Sequence, residues 1–150
     1  MKYQILSKKK AKKINDMIEN QWGTRLDDSY VFLENEGDIF ITSRAIENIP
    51  FENLRVNAVG LYIAEIKHNT IRLSIEGSQL IGPSATRNVL EIQPEHVKAW
   101  VKGEDIPADS MEGFVIIKSG DDFLGCGKAK ENKVLNYVPK ARRVKETHIE

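Results

Sequence analysis

Two glycines interrupt an otherwise strand-like stretch near the end of the chain, residues 123–128. Glycine is costly inside a strand, and there it usually marks a bulge or a place where another backbone approaches closely. The pair Asp121-Asp122 comes just before this stretch and predicts a turn. A basic segment, residues 136–143, comes after it. The sequence therefore predicts a glycine-containing β-hairpin that ends in a basic strand.

Charge is distributed in blocks along a chain whose total charge is zero. Residues 1–25 contain seven Lys/Arg and two acids, residues 26–117 contain seven and fifteen, and residues 118–145 contain eight and three. The two ends are therefore basic and the middle is acidic. A solvated surface usually intersperses its signs, so this asymmetry favours a nucleic-acid partner.

Length and composition exclude several other classes of protein. A chain of 150 residues can bury one good core or two very small ones. No apolar run approaches the roughly 20 residues that span a bilayer, and the N-terminus lacks a signal-peptide core, so we expect a cytoplasmic protein. The single cysteine, Cys126, allows no internal disulfide, and the three histidines lack ligand spacing, so we expect neither metal nor cofactor.

Periodicity and turn residues predict one long helix followed by short mixed elements. The helix begins at the cap Ser7 and ends at Trp22 before Gly23, with five lysines between Lys8 and Lys13 near its start. These lysines either form a solvated face or extend a binding surface. We predict strands at 30–33, 38–42, 56–67, 70–75, 89–92 and 114–117, a loop at 106–110, and helices at 44–48, 76–81 and 93–103.

Motifs for catalysis are weak. The sequence Gly125-Cys126-Gly127-Lys128 lacks both the spacing and the Ser/Thr of a phosphate loop. Cys126 has no histidine nearby in sequence and is more typical of a core residue than of a nucleophile. Asp121 and Asp122 favour a turn over an acid pair. An enzyme acting on a modified nucleotide would require a deep pocket lined by Asp121, Asp122 or His96.

The basic hairpin supplies the side chains that nucleic-acid binding requires. Asn136 either contacts a base edge or fixes a turn, and Tyr137 either stacks on an unpaired base or lies in the core. The remaining candidates are cations that can neutralise phosphates: Lys128, Lys130, Lys133, Lys140, Arg142 and Arg143.

Three segments resemble the C-terminal PUA-like region of RsmF-type rRNA cytosine methyltransferases. They are Gly60 to Lys67, the helix 93–103 with its end Trp100-Val101-Lys102-Gly103-Glu104, and the final block, Leu124 to Lys128 with residues 136–143. The two-part layout also resembles ribosome-biogenesis factors that join a pre-PUA domain to a PUA domain. The resemblance implies an α+β fold, with an α/β pre-PUA-like half at residues 1–74 and a PUA-like mixed β-barrel with short helices at 75–150.

The same resemblance implies a protein that binds structured rRNA or tRNA in ribosome biogenesis or RNA modification. The chain lacks the Pro-Cys catalytic motif of the methyltransferases and has no room for their cofactor-binding domain, so we expect no enzymatic activity. It also has Ile75-Glu76-Gly77-Ser78 where the methyltransferases tend to have a Pro-centred segment. The alternative is a protein-interaction module that supplies an RNA-binding domain in trans to an RNA methyltransferase, with the acidic middle block as its docking face.

Overall fold

Two five-stranded sheets contain the strands of the computed structural model, which describes residues 3–44 and 60–145. The first sheet is antiparallel, and its strands lie side by side in chain order. They are β1 (Gln4–Ile5), β2 (Tyr30–Asn35), β3 (Asp38–Ser43), β4 (Leu61–Lys67) and β5 (Thr70–Leu73).

The second sheet is mixed. Its strands are β6 (Val89–Glu91), β7 (Ile106–Pro107), β8 (Gly113–Ser119), β9 (Asp122–Lys130) and β10 (Lys133–Asn136). They lie in the order β6-β8-β9-β10-β7, and β6 pairs with β8 in parallel while the other pairs are antiparallel. The antiparallel hairpin β9–β10 confirms the predicted glycine-containing hairpin, but the predicted basic strand at its end is wrong, because β10 stops at Asn136 and Lys140–Arg142 form a 3₁₀ turn.

Short helices connect and cover the sheets. The α-helices are α1 (Lys8–Trp22), α2 (Ile75–Ile81) and α3 (Pro94–Val101), and 3₁₀ turns follow at Gly82–Ser84 and Lys140–Arg142. The predicted mixture of helices and sheets is therefore confirmed. The pre-PUA-like character of the first half and the domain boundary after residue 74 stay predictions.

The helix α1 has the predicted ends. The Ser7 hydroxyl accepts a hydrogen bond from Lys10 N, and Gly23 closes the helix in the left-handed conformation, φ 77°. The C-terminal end of α1 contacts the second half of the chain, because the Arg87 guanidinium donates to the carbonyl oxygens of Glu19 and Asn20. These bonds place a positive charge at the negative end of the helix dipole.

In the part of the chain that the structure describes, three hairpins close through two-residue turns in which both residues have positive φ. They are Glu36-Gly37, His68-Asn69 and Glu131-Asn132. This conformation matches the right-handed twist of the flanking strands, which is why it is common in short hairpins. The predicted turns at Glu36-Gly37 and Asn69 are confirmed. The predicted turn at Asp121 is confirmed as well, between β8 and β9.

The largest hydrophobic cluster spans both sheets. It contains Ile18 and Trp22 from α1 and Ile63 from the first sheet, together with Ile116 and Cys126 from the second. Cys126 is therefore a core residue, as predicted. A second cluster lies on the other face of the second sheet, around the fully buried Trp100 of α3.

Four element predictions need correction or extend outside the described residues. Residues 106–110 were expected to form a loop, but Ile106 and Pro107 pair with the distant β10 as an edge strand, where proline is tolerated. The strand β5 ends at Leu73 because Ser74 caps α2, accepting from Gly77 N at 2.9 Å. The predicted helix at 44–48 and the start of the predicted strand at 56–67 lie outside the described residues, except Arg44.

Candidate nucleic-acid interface

One face of the second sheet begins in the core and ends at the surface. Successive residues of a strand point to opposite faces, so Cys126, Lys128 and Lys130 share one face of β9. Cys126 is buried in the cluster between the sheets, whereas Lys128 and Lys130 are exposed. The first sheet therefore covers this face as far as Cys126. From Lys128 to the turn that follows Lys130, the face is open to solvent.

Three predicted phosphate contacts lie together on this exposed part. Lys133 of β10 lies directly opposite Lys130, and Lys128 is two residues further along β9. All three are exposed. We call Lys128, Lys130 and Lys133 the lysine row. Like charges directly opposite in a sheet are destabilising, so this arrangement favours an anionic partner.

The two glycines of β9 have a structural role. Gly125 has φ 122° and lies where the register of β8 and β9 shifts, which is the predicted bulge. A Cβ atom added at Gly127 would lie 2.6 Å from the Trp100 ring and 2.5 Å from the Leu135 carbonyl oxygen. Neither glycine is open to the backbone of a nucleic acid, because both are buried and the space beside Gly127 is filled by Trp100.

Asn136 fixes the chain after β10. Its amide nitrogen donates to the carbonyl oxygens of Trp100 at 2.8 Å and Glu104 at 2.9 Å, and its amide oxygen accepts from Val138 N at 2.8 Å. Both amide hydrogens are thus used inside the protein. Of the two roles considered for Asn136, these contacts support the turn.

Tyr137 lies at the surface, with 39% of the residue exposed. Its ring centroid is 5.6 Å from that of Phe114, and the Arg72 guanidinium lies 5.2 Å from the Tyr137 centroid. The alternative that Tyr137 is a core aromatic is therefore wrong. Its position next to Lys128, whose Nζ lies 6.0 Å from the Phe114 ring, keeps it a candidate for base stacking.

The remaining predicted cations lie at the other end of β10. Two nitrogens of Arg142 contact the two carboxylate oxygens of Glu76, at 2.9 and 3.2 Å. Hydrogen bonding to Arg142 holds the pKa of Glu76 below its ordinary value. Arg143 donates from Nε to the Val138 carbonyl oxygen at 3.0 Å, and Lys140 is exposed. The structure therefore separates this basic segment from the lysine row.

A groove between the two sheets adds residues that sequence reasoning missed. It has a volume of about 350 Å³, and we call it the seam groove. Its lining comprises Glu65, Lys67, His68, Thr70, Arg72, Phe114, Lys128 and Tyr137. Only Lys128 and Tyr137 were predicted site residues. The β4–β5 hairpin around His68-Asn69 is predicted by the sequence, but no local pattern indicates that it lies next to Phe114.

The lysines at the start of α1 lie far from the seam groove along the helix. The C-terminal end of α1 is the end near the groove, because Gln21 Nε2 donates to the carbonyl oxygen of Phe114 at 2.6 Å. A 15-residue helix is roughly 22 Å long, so its first turn is well removed from that contact. One of these lysines, Lys12, forms an ion pair with Asp16 at 3.0 Å.

The candidate catalytic groups are not assembled into a site. Burial raises the pKa of the Cys126 thiol to about 12, which disfavours the nucleophilic thiolate. Asp121 lines an open depression of about 550 Å³, but Asp122 and His96 do not line it. Within residues 3–44 and 60–145, no three His, Cys, Asp or Glu side chains form a metal-binding group. The helices of the same residues include none long and apolar enough to cross a membrane.

Comparisons with known proteins agree with this architecture. A solved PUA domain protein from Thermoplasma acidophilum superposes with a TM-score of 0.60 over 90% of this chain and 82% of its own, at 14% identity. The fold is therefore PUA-like. A family model described as the methyltransferase RsmF PUA domain matches residues 87–144. The particular PUA domain that this region resembles is thus the C-terminal domain of RsmF.

Curated relatives support the same assignment. The chain is 28% identical over 138 residues to ribosomal RNA small subunit methyltransferase F of Vibrio vulnificus strain YJ016, covering 88% of this chain. It is 27% identical over 144 residues to the protein of the same name from Shewanella baltica strain OS223. The chain spans only 29% and 28% of the length of these two relatives.

Proposed function

We propose that this protein is a non-enzymatic RNA-binding protein that holds the phosphate backbone of a structured RNA with the lysine row. The observation that carries the proposal is the geometry of Lys128, Lys130 and Lys133, which form one exposed cationic surface beside the exposed ring of Tyr137. Cations neutralise phosphates and release counterions, while aromatic rings stack on unpaired bases.

The relatives favour ribosomal RNA as the partner. Those described above are named as methyltransferases of small-subunit ribosomal RNA, and the matched region of the family model includes the whole lysine row. A role in ribosome biogenesis or RNA modification follows from that partner, with transfer RNA as the other structured RNA to be tested. Lys140 is a peripheral phosphate contact in this proposal, because it is exposed but lies beyond the far end of β10.

A salt titration of RNA binding tests the proposal. The chain and a Lys128→Ala/Lys130→Ala/Lys133→Ala variant are titrated with ribosomal RNA and transfer RNA at several salt concentrations. The variant should bind more weakly, and its log-log salt slope should decrease by roughly two to three, because about 0.7–0.9 counterions are released per phosphate contact.

Two control variants locate the site. Lys8→Ala/Lys9→Ala/Lys10→Ala removes the same charge at the far end of α1, and it should retain most of the affinity. Lys140→Ala/Arg142→Ala/Arg143→Ala should have an intermediate effect, because Arg142 and Arg143 already contact Glu76 and Val138. Failure of the native chain to bind either RNA, or equal losses in all three variants, would contradict the proposal.

The second candidate is a module that provides an RNA-binding domain in trans to an RNA methyltransferase. The observation that favours it is the acidic middle block, because fifteen acids outnumber seven bases over residues 26–117. In this case the acidic middle block supplies the docking face, and the isolated chain binds RNA weakly. Co-purification with a methyltransferase, together with weak RNA binding by the chain alone, would favour this candidate over independent binding.

A further inference from the structure

The seam groove combines aromatic rings and cations from both halves of the chain. The rings are Phe114 and Tyr137, with centroids 5.6 Å apart and an interplanar angle of 39°. Lys128 contributes a cation from the second sheet and Lys67 one from the first. Its volume of about 350 Å³ lies within the range of small-molecule sites, roughly 300–1,000 Å³.

The charges in the groove are not balanced internally. Among the residues that the structure describes, the one acid that lines it is Glu65, which pairs with Arg72 at 3.1 Å. Arg72 is in turn held against the Tyr137 ring at 5.2 Å. Lys67 and Lys128 remain as exposed ammonium groups on the two sides of the groove. An anionic ligand with an apolar, planar part fits this distribution of charge and aromatic surface.

A nucleotide with an unpaired base has this chemistry. Bases inside a duplex are stacked on each other, so only an unpaired base presents its face to a protein ring. Aromatic stacking of this kind accepts any base, whereas phosphate contacts position the strand. The lysine row begins at Lys128 and continues away from the groove, so a strand held by the row passes the groove entrance.

We propose that the seam groove binds one unpaired nucleotide of an RNA strand. The base lies against the exposed surface of Tyr137 and Phe114, and the adjoining phosphates contact Lys67 and Lys128. This inference rests on the proposed RNA-binding function and deepens it, because it specifies a single-stranded element next to the structured part of the RNA. It also assigns a role to the first sheet, through Lys67.

The test uses an oligoribonucleotide that contains a fluorescent 2-aminopurine, either single-stranded or annealed to its complement. Stacking on an aromatic ring should quench the single-stranded probe on binding. Tyr137→Leu should remove the quenching and weaken single-strand binding about tenfold or more, in line with measured base–aromatic contributions. Tyr137→Phe keeps the ring and should retain both signals. Binding of the duplex should change little in either variant.

Two lysine variants, one inside the groove and one outside it, test whether the groove itself contributes to binding. Lys67→Ala should weaken single-strand binding severalfold, while Lys98→Ala removes an exposed lysine of α3 that does not line the groove and should have no effect. Because Lys67 is exposed and outside the lysine row, its variant gives an answer even where Tyr137→Leu fails to fold.

The outcomes distinguish this inference from the proposed function. If the native chain binds RNA but quenching persists in Tyr137→Leu, or Lys67→Ala matches Lys98→Ala, the groove is not a nucleotide site and the lysine-row proposal stands. If the native chain binds neither probe nor ribosomal RNA, both proposals are overturned together.

Discussion

The two faces of the second sheet are held in different ways. On one face, α3 places Trp100 against Gly127, and the ring nitrogen donates to the Leu124 carbonyl oxygen at 3.0 Å. On the other face, Cys126 is buried against the first sheet, but its neighbours on the same face, Lys128 and Lys130, are exposed. One strand thus alternates between residues fixed by packing and residues whose side chains are exposed to solvent.

This difference shows how a rigid support can position exposed cations. Lysine side chains are flexible, so the placement of the lysine row depends on the backbone that carries it. Gly127 and Ala129 anchor that backbone from the opposite face, and each is adjacent to Lys128 in the chain. We therefore expect the stability of the fold to depend on the face that packs against Trp100. We expect RNA binding to depend on the face that carries the lysine row.

The largest expected effect comes from removing Trp100. Trp100→Ala should lower the free energy of unfolding by about 3–5 kcal/mol, because it leaves a cavity in the second hydrophobic cluster. It also removes the donor for the Leu124 carbonyl. Urea denaturation followed by circular dichroism measures the change. A loss below about 1 kcal/mol would show that this face does not hold the sheet.

A smaller loss of stability is expected when a methyl group is added at Gly127, next to the Trp100 ring. Gly127→Ala should destabilise the fold by about 1–3 kcal/mol, the usual cost of overpacking. The new Cβ would meet Trp100 and the Leu135 carbonyl at 2.6 and 2.5 Å. The cost should be smaller in a Trp100→Phe background, and a double-mutant cycle measures this coupling. Equal costs in the two backgrounds would mean that the ring is not the obstacle.

Local sequence signals predicted much of the fold. The ends of α1 follow from the Ser7 cap and Gly23, and the hairpin turns follow from residues such as Gly37 and Asn69 that tolerate positive φ. The short strand at Ile106 was missed, because its only signal is pairing with a strand nearly 30 residues away. Local patterns carry no information about such partners.

The candidate site was predicted only in part for the same reason. The lysine row can be predicted from local features. Side chains alternate between the two faces along β9, and a two-residue turn places Lys133 opposite Lys130. The bonds of Asn136 to Trp100 and Glu104 and the ion pair of Arg142 with Glu76 depend on residues more than 30 positions away, so a sequence pattern cannot separate these structural roles from binding roles. The contribution of Lys67 to the seam groove also depends on how the two sheets pack.

A single substitution in the lysine row should separate stability from binding. Lys133→Glu replaces a like-charge pair with Lys130 by an opposite-charge pair, so the free energy of unfolding should rise by about 0.2–1 kcal/mol. RNA affinity should fall in the same variant. Lys133→Ala, which removes the repulsion without adding an attraction, should give a smaller gain. No gain of Lys133→Glu over Lys133→Ala, seen by thermal denaturation, would show that the pair does not interact.

The smallest effect is expected at the ion pair that holds the far basic segment. Glu76→Gln should lower stability by up to about 1 kcal/mol at neutral pH, since partly exposed ion pairs contribute little. The folded-state pKa of Glu76 lies below its ordinary value because of hydrogen bonding to Arg142. The stabilisation is therefore fully present above the ordinary glutamate pKa of about 4.3 and is lost as the pH falls through the lowered value. Denaturation curves of the two proteins should converge over that acidic window. Arg142→Gln should show the same convergence, and a larger loss at neutral pH in Glu76→Gln than in Arg142→Gln would assign the excess to the interaction of the Glu76 carboxylate with the α2 dipole.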